Sequence, residues 1–230
     1  MTLPEVQRRI AAIRKRGWNS RELVSLLSQA AALDDASALY DLGMLYRDGL
    51  LDPRGRLILR ANQTRSMQCF RRAAELGNAS AMVDVGHALR GRPALHWYRK
   101  AFRLGEPRAA PSLGLTYQYL GRNRDAVRWF RRAVVDGDSS YLLELAQAEL
   151  LGVGTRRDVA AAVEKLRTVA RGGDSIEVLR QEVAMRLLAE VYLQGWLLRR
   201  NWKLARGYLE RAAALGSAAA NGLLRDLGEP

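Results

Sequence analysis

The sequence is poor in the residues from which disulfides, metal sites and many catalytic sites are built. Its 230 residues include one cysteine, Cys69, and two histidines, His87 and His96. One cysteine excludes an intramolecular disulfide and any site made of several thiolates. The histidines stand nine residues apart, with no cysteine or acidic residue at ligand spacing, so we expect no metal and no cofactor. Cys69 adjoins Phe70 on an apolar helical stripe, which predicts a buried structural thiol.

Patterns typical of catalytic sites are also lacking. Gly152-Val153-Gly154 is a glycine pair without the Gly-Lys-Ser/Thr that completes a phosphate-binding loop. Ser139 follows Asp138 in a predicted turn between helices, where both are ordinary N-cap residues. The sequence therefore predicts a protein that is not an enzyme.

Long apolar runs are absent as well. No stretch approaches the roughly 18 apolar residues that a membrane-spanning helix needs. Near the amino terminus, Arg14, Lys15 and Arg16 stand where a secretory signal would be most apolar. These features predict a cytoplasmic protein.

The charge is unbalanced, with a formal net charge of +13 and only four lysines among 37 basic residues. Positive surfaces attract carboxylates and phosphates. The arginines are spread along the chain and mixed with acids, as on solvated helix faces. We therefore expect a partner protein with an acidic surface. Binding to RNA or DNA is the less favoured alternative, indicated by arginine-aromatic clusters at 124–129 and 196–202.

One short motif recurs along the chain. Residues 70–77 read Phe-Arg-Arg-Ala-Ala-Glu-Leu-Gly, and similar segments stand at 98–105, 130–137 and 209–216. Weaker copies end at Asp34 and Gly173. The copies end 28 to 43 residues apart. One helix pair takes roughly 30 to 45 residues, so this period predicts an array of helix pairs.

A second pattern follows most copies of the first and is clearest as Ala38-x3-Leu42-Gly43-x2-Tyr46-x2-Gly49. Its first four fixed residues lie on one helix face. The small residues allow close approach of a neighbouring helix, and the last glycine ends the helix. Matching copies begin at Ala81 and Ala109, and degenerate copies begin at Tyr141 and Ala184.

Together the two patterns resemble the Sel1-like repeat, a relative of the tetratricopeptide repeat, from Leu33 to Ala220. The segment Gly152–Ala162 is similar to that family's inter-helix loop. The resemblance implies an all-α protein, a right-handed α-solenoid of about five helix-pair repeats over residues 33–220. Residues 1–32 are expected to form capping helices and 221–230 a carboxyl-terminal tail. The apolar stripe of the first helix, from Leu3 to Ile13, favours a cap over a membrane-surface helix.

The same resemblance implies that the first helix of each pair lines a concave surface that holds a partner protein or peptide, as in a scaffold or adaptor. An inhibitor or immunity-type regulator that wraps a single target protein is an alternative. The groove residues predicted from the register are Tyr40, Asp41, Met44, Arg47, Asp84, His87, Gln118, Glu144, Gln147, Arg186 and Glu190.

Two loop insertions add apolar candidates for partner contact. They are Leu57, Ile58 and Leu59 in the first repeat, and Trp196 and Trp202 in the fifth. Exposed apolar clusters often mark partner sites. The alternative is that these loops fold back onto neighbouring helices.

Overall fold

The computed structural model describes residues 2–15, 21–172, 177–196 and 200–227, and the regular structure in them is almost entirely helical. The helices are α1 Leu3–Arg14, α2 Arg21–Ala32, α3 Ala36–Asp48, α4 Gln63–Glu75, α5 Ala79–Leu89, α6 Gly91–Arg103, α7 Ala109–Tyr119, α8 Asn123–Val135, α9 Leu142–Leu151, α10 Val159–Arg171, α11 Val178–Gln194, α12 Trp202–Ala214 and α13 Ala218–Asp226. A 3-10 turn, Ser139–Tyr141, precedes α9, and two short strands, β1 Leu50–Leu51 and β2 Leu57–Leu59, follow α3. The predicted repeat end at Gly173, and Arg16 in the basic segment, lie outside the described residues. The all-α class and the succession of helix pairs are confirmed.

The chain divides into two compact units, residues 1–116 and 117–230, which are described separately. The expected limit of the amino-terminal caps at residue 32 is the last residue of α2. The expected start of the tail at residue 221 falls inside α13.

In the first unit, α1 packs its apolar stripe onto the protein itself. Val6 and Ile10 are buried in one cluster with Leu23, Leu26 and Leu27 of α2. A helix that lay on a membrane would present this stripe outward. The burial therefore favours the capping role over the membrane-surface alternative. Cys69, predicted to be buried, is half-buried against the same cluster, and this burial raises the pKa of its thiol.

The glycine of the second pattern provides the space for an aromatic ring of the paired helix. A Cβ placed on Gly43 of α3 would lie 2.7 Å from the Phe70 ring of α4. A Cβ on Gly86 of α5 would lie 2.4 Å from the Tyr98 ring of α6. Both rings are buried, and burial raises the pKa of Tyr98 to about 12. The predicted close approach of paired helices is thus confirmed at two repeats.

In the second unit the core lies mainly between α10, α11 and α12, where Leu166, Leu188 and Leu209 are fully buried. Two glycines end the first helices of the helix pairs that this unit contains. Gly152 after α9 and Gly195 after α11 both have left-handed backbone conformations, as the pattern predicts.

The loop after α3 forms a small antiparallel hairpin, in which β1 pairs with β2. The Asp52 carboxylate fixes its turn by accepting hydrogen bonds from the backbone N–H groups of Arg54 and Arg56, each at 2.8 Å. Ile58 and Leu59 pack against the amino-terminal core cluster.

Candidate partner-binding site

A cavity of about 170 Å³ opens in the second unit between the end of α7, the first half of α8 and α9. It is lined by Gln118, Asn123, Ala126, Val127, Phe130, Glu144, Gln147, Ala148, Leu151 and Val153. We call it the amide cavity. Three predicted groove residues, Gln118, Glu144 and Gln147, come together here.

The amide cavity combines an apolar floor with polar walls. Ala126, Val127 and Phe130 of α8 are buried and form the floor. Within the described ranges, none of the side-chain amides of Gln118, Asn123 and Gln147 has a hydrogen-bond partner. An amide side chain carries both donors and an acceptor, which matches the N–H and C=O groups of a peptide backbone.

Glu144 forms one wall, but its carboxylate is already engaged within the chain. Arg180 of α11 donates to both Glu144 oxygens, at 2.9 Å each. This hydrogen-bonded pair raises the pKa of Arg180. Arg180 also donates to the Ser140 carbonyl oxygen at 2.6 Å and lies over the Tyr141 ring. The Tyr141 ring in turn stacks on the Phe130 ring, with the ring centroids 5.2 Å apart. The Glu144–Arg180 pair therefore supports the cavity floor through Tyr141.

A second cavity, of about 730 Å³, adjoins the first where α8 begins. Its lining is Gly121, Arg122, Asn123, Arg124, Asp125, Gly152, Gly154, Thr155 and Arg156. We call it the arginine cavity. Asn123 lines both cavities, and the loop at 152–154 contributes to each.

The three arginines of this cavity differ in how they are engaged. Arg122 is paired with Asp125 at 2.6 Å and lies over the Tyr117 ring. Arg124 and Arg156, both exposed, make no hydrogen bond or ion pair with any residue in the described part of the chain. Two guanidinium groups are therefore available to an outside anion. Arg124 belongs to the arginine-aromatic cluster at 124–129, whereas the sequence analysis did not single out Arg156.

In the first unit, the structure brings Tyr40 and Asp84 together around Arg108. The Arg108 guanidinium lies 3.4 Å from Asp84, and Glu106 accepts from Arg108 Nε at 3.0 Å. Burial raises the pKa of Tyr40. The negative charge of Asp84 also acts to raise this pKa, and the positive charge of Arg108 acts to lower it. His87 Nε2 lies 3.3 Å from Ser112 Oγ. Arg108 and Glu106, which organise this cluster, were missed because they stand in the turn before α7 rather than on a groove position.

Other predicted groove residues of the first unit pair with residues outside this cluster. Asp41 is ion-paired with Arg14 of α1, and Arg47 donates to its neighbour Asp48 at 2.8 Å. Met44 is half-buried.

In the second unit, Arg186 and Glu190 pair along α11. Their side chains approach to 3.3 Å, and Glu182 lies 3.7 Å from Arg186 on its other side. None of these three side chains lines the amide cavity.

The predicted loop contacts are divided between buried and exposed positions. Ile58 and Leu59 are half-buried against the core, which agrees with the alternative that this loop folds back onto neighbouring helices. Leu57, in contrast, is 53% exposed. Trp196 is 39% exposed with the Arg157 guanidinium 5.1 Å from its ring, and Trp202 is 56% exposed. Leu197, Leu198 and Arg199, which belong to the same predicted insertion, lie outside the described residues.

Two features are absent from the described ranges. No helix in them is long and apolar enough to cross a membrane. They also contain no group of three or more His, Cys, Asp or Glu side chains that could hold a metal ion.

Comparison with known proteins identifies the repeat. The Sel1 repeat family model matches residues 36–78, 92–106 and 183–217. A protective antigen present in uropathogenic Escherichia coli strains, which displays an SLR fold, is similar with a TM-score of 0.67 and 23% identity. That match covers 90% of this chain and 44% of the antigen, so this chain spans less than half of its length.

A Sel1 repeat protein from Oxalobacter formigenes is similar with a TM-score of 0.61 and 25% identity, over 84% of this chain and 77% of that one. A search of curated protein sequences found no match. Two of the segments that the family model matches cover helix pairs, α3–α4 and most of α11–α12, and the third covers most of α6. Three segments of this chain therefore match the Sel1 repeat, and the fold is similar to that of Sel1-repeat proteins.

Proposed function

We propose that this chain is a non-catalytic module that binds a partner protein, and that the amide cavity receives one apolar side chain of a partner segment. Sel1-repeat folds generally mediate protein–protein interaction. The observation that carries the proposal is a set of three amides, Gln118, Asn123 and Gln147, around an apolar floor, none of which has a hydrogen-bond partner among the described residues.

The size of the amide cavity supports a side chain rather than a metabolite as its occupant. Pockets for small molecules commonly measure about 300–1,000 Å³. The amide cavity, at about 170 Å³, is smaller than that range and has room for one aliphatic side chain. Burial of such a side chain contributes about 1.5–3 kcal/mol. An extended backbone on either side of it would meet the amide groups.

The lining also favours a polypeptide over a nucleic acid. Single-stranded nucleic acids bind where bases stack on accessible aromatic rings along a basic track. Phe130 in the amide cavity is buried and already stacked on Tyr141. The remaining lining is aliphatic or amide, with the Glu144 carboxylate in the wall.

Affinity capture with a cavity-filling variant tests this proposal. Ala148 is half-buried on α9 and lines the amide cavity, so Ala148→Tyr fills it. Ala160 is exposed on α10, so Ala160→Tyr makes the same change away from the cavity. Tagged wild type and both variants would be used to capture proteins from the source cells with and without nuclease, at low and moderate salt, and the captured proteins quantified by mass spectrometry.

The proposal predicts a protein that is retained by wild type and Ala160→Tyr through nuclease and salt and is lost with Ala148→Tyr. Capture that disappears with nuclease would instead indicate nucleic-acid binding. Equal capture by all three forms would place partner binding elsewhere on the chain.

A further inference from the structure

We propose that the arginine cavity binds a carboxylate of the same partner segment, so that the segment carries an acidic residue close to an aliphatic one. This inference rests on the proposed function, because it specifies the chemistry of a partner that occupies the adjoining amide cavity. It assigns a role to Arg124 and Arg156, which no repeat position requires.

The two cavities are contiguous. Asn123 lines both, and the turn at 152–154 places Val153 in the amide cavity and Gly152 and Gly154 in the arginine cavity. A segment whose apolar side chain enters the first cavity therefore passes the mouth of the second within one or two residues. One short stretch of chain can use both.

The charges of the arginine cavity are only partly neutralised. Many arginines of the second unit already have acidic or carbonyl partners, as Arg180 does with Glu144. Arg122 is likewise paired with Asp125. Arg124 and Arg156 line one cavity, and among the described residues nothing neutralises them. An arginine guanidinium forms bidentate hydrogen bonds with a carboxylate, so the pair suits an Asp or Glu side chain.

A hydroxyl group stands in the same lining. Arg131 donates to the Thr155 Oγ1 at 3.0 Å, which holds the Thr155 side chain in place. Because Oγ1 accepts that bond, its own proton remains available to donate to an anion. Thr155 thus adds a third donor to the two guanidinium groups at the arginine cavity.

An acidic residue in the arginine cavity favours a protein carboxylate over a nucleic-acid phosphate as the ligand. Among the lining residues is Asp125, whose carboxylate pairs with Arg122. This acid interrupts the positive lining, whereas a phosphate backbone needs a continuous basic groove. A single acidic side chain beside an aliphatic one matches the local pattern of charge and apolar lining.

Selection from a random dodecapeptide library displayed on phage, with the full chain as bait, tests the inference. We expect the selected peptides to be enriched in Asp or Glu within about three residues of Leu, Ile, Val or Met. The best peptide would then be labelled and titrated against wild type, the charge-reversal variant Arg124→Glu/Arg156→Glu, and a control. The control, Arg171→Glu/Arg225→Glu, changes two exposed arginines of the same unit outside the cavity and gives the same net charge.

We expect the cavity variant to weaken binding at least about tenfold and the control to weaken it no more than about twofold, since charge pairs at an interface act locally when screened by salt. A form of the peptide with Asn and Gln in place of Asp and Glu should bind wild type as weakly as the acidic peptide binds the cavity variant. Binding by wild type should also fall as salt is raised.

Four outcomes would overturn the inference. Selected peptides without acidic enrichment, or equal weakening by both double variants, would refute the carboxylate site while leaving the amide cavity and the proposed function in place. A single-stranded RNA that displaces the labelled peptide at a lower concentration than the unlabelled peptide does would show that the arginines bind phosphate instead. If every selected peptide binds the Ala148→Tyr variant as tightly as it binds wild type, the proposed function itself is contradicted.

Discussion

Gly154 lies so close to Asn123 that a Cβ on Gly154 would be 2.4 Å from the Asn123 carbonyl oxygen. Gly154 also has a positive φ of 74°, a conformation that other residues adopt at a cost. The contact joins the loop after α9 to the start of α8. It therefore sets the spacing between the two walls of the arginine cavity.

Gly154→Ala should destabilise this loop by about 1–3 kcal/mol, because the left-handed backbone and the contact with Asn123 both oppose a methyl group. Binding of the partner segment should weaken along with it, since Asn123 lines both cavities. The free energy of unfolding and the peptide Kd are the measurements.

The matched control is Gly207→Ala. Gly207 lies inside α12, where an added Cβ would have no atom within 4 Å, and its φ is not positive. This change should stabilise the protein by about 0.5–1 kcal/mol. Equal effects of the two substitutions would show that the loop contact is unimportant.

The Glu144–Arg180 pair should be coupled more strongly than an exposed pair. Glu144 and Arg180 are 16% and 26% exposed and joined by two hydrogen bonds. A double-mutant cycle with Glu144→Ala and Arg180→Ala should give a coupling free energy of about 1–2 kcal/mol.

The pair Arg206 and Glu210, one turn apart on α12 and more exposed, serves as the control. Its coupling should be about 0.3–0.5 kcal/mol. A Glu144–Arg180 coupling no larger than this would contradict a structural role for Glu144 and return its carboxylate to the predicted partner surface.

Glu106 should make the stability of the first unit depend on pH. Burial acts to raise its pKa, but hydrogen bonds from Ser80 Oγ at 2.5 Å and from Arg108 outweigh burial, so its pKa lies below the ordinary value. A carboxyl whose pKa is lowered on folding stabilises the protein above its unfolded pKa, near 4.3, and that stability is lost as the pH falls through the folded pKa.

Glu106→Gln should therefore lower the free energy of unfolding by about 1 kcal/mol at pH 7 and by progressively less below about pH 4.5. Glu75→Gln removes an exposed carboxyl and serves as the comparison. A Glu106→Gln difference that stays constant from pH 7 to pH 3 would be inconsistent with this assignment. Denaturant unfolding at several pH values supplies the measurement.

In the hairpin after α3, Ile58 packs on the protein core whereas the neighbouring Leu57 is exposed. Ile58→Ser should cost about 1–2 kcal/mol, because Ile58 packs on the amino-terminal core. Leu57→Ser should cost less than about 0.5 kcal/mol, because Leu57 is mostly exposed. Leu57→Ser is thus the variant with which to test partner contact at this loop, and thermal unfolding of both variants checks the distinction.

The helix pairs were predictable from the sequence because their packing is periodic. Gly43 and Gly86 stand at equivalent places in the pattern, and each faces the aromatic ring that the recurring motif supplies. Local chemistry also sufficed for the helix ends at Gly152 and Gly195. The hairpin was missed, although Asp52-Pro53-Arg54-Gly55 between leucines is a turn signal that could have revealed it.

The cavities were only partly predictable. Gln118 and Gln147 follow from helix register, but Asn123 and Val153 join them through the geometry of two loops. The partner of each charged residue is harder still to predict, since the sequence offers many arginines for every acidic residue. That Glu144 is held by Arg180, 36 residues away, is set by the packing of α9 and α11 in the fold.

The most direct test of the account is the Kd of the best selected peptide for wild type, Ala148→Tyr and Ala160→Tyr, measured by calorimetry. Filling the amide cavity removes the burial of one aliphatic side chain, so Ala148→Tyr should weaken binding by about tenfold or more, with Ala160→Tyr within about twofold of wild type. Equal Kd values for all three proteins, each folded by circular dichroism, would contradict the claim that this cavity holds the partner.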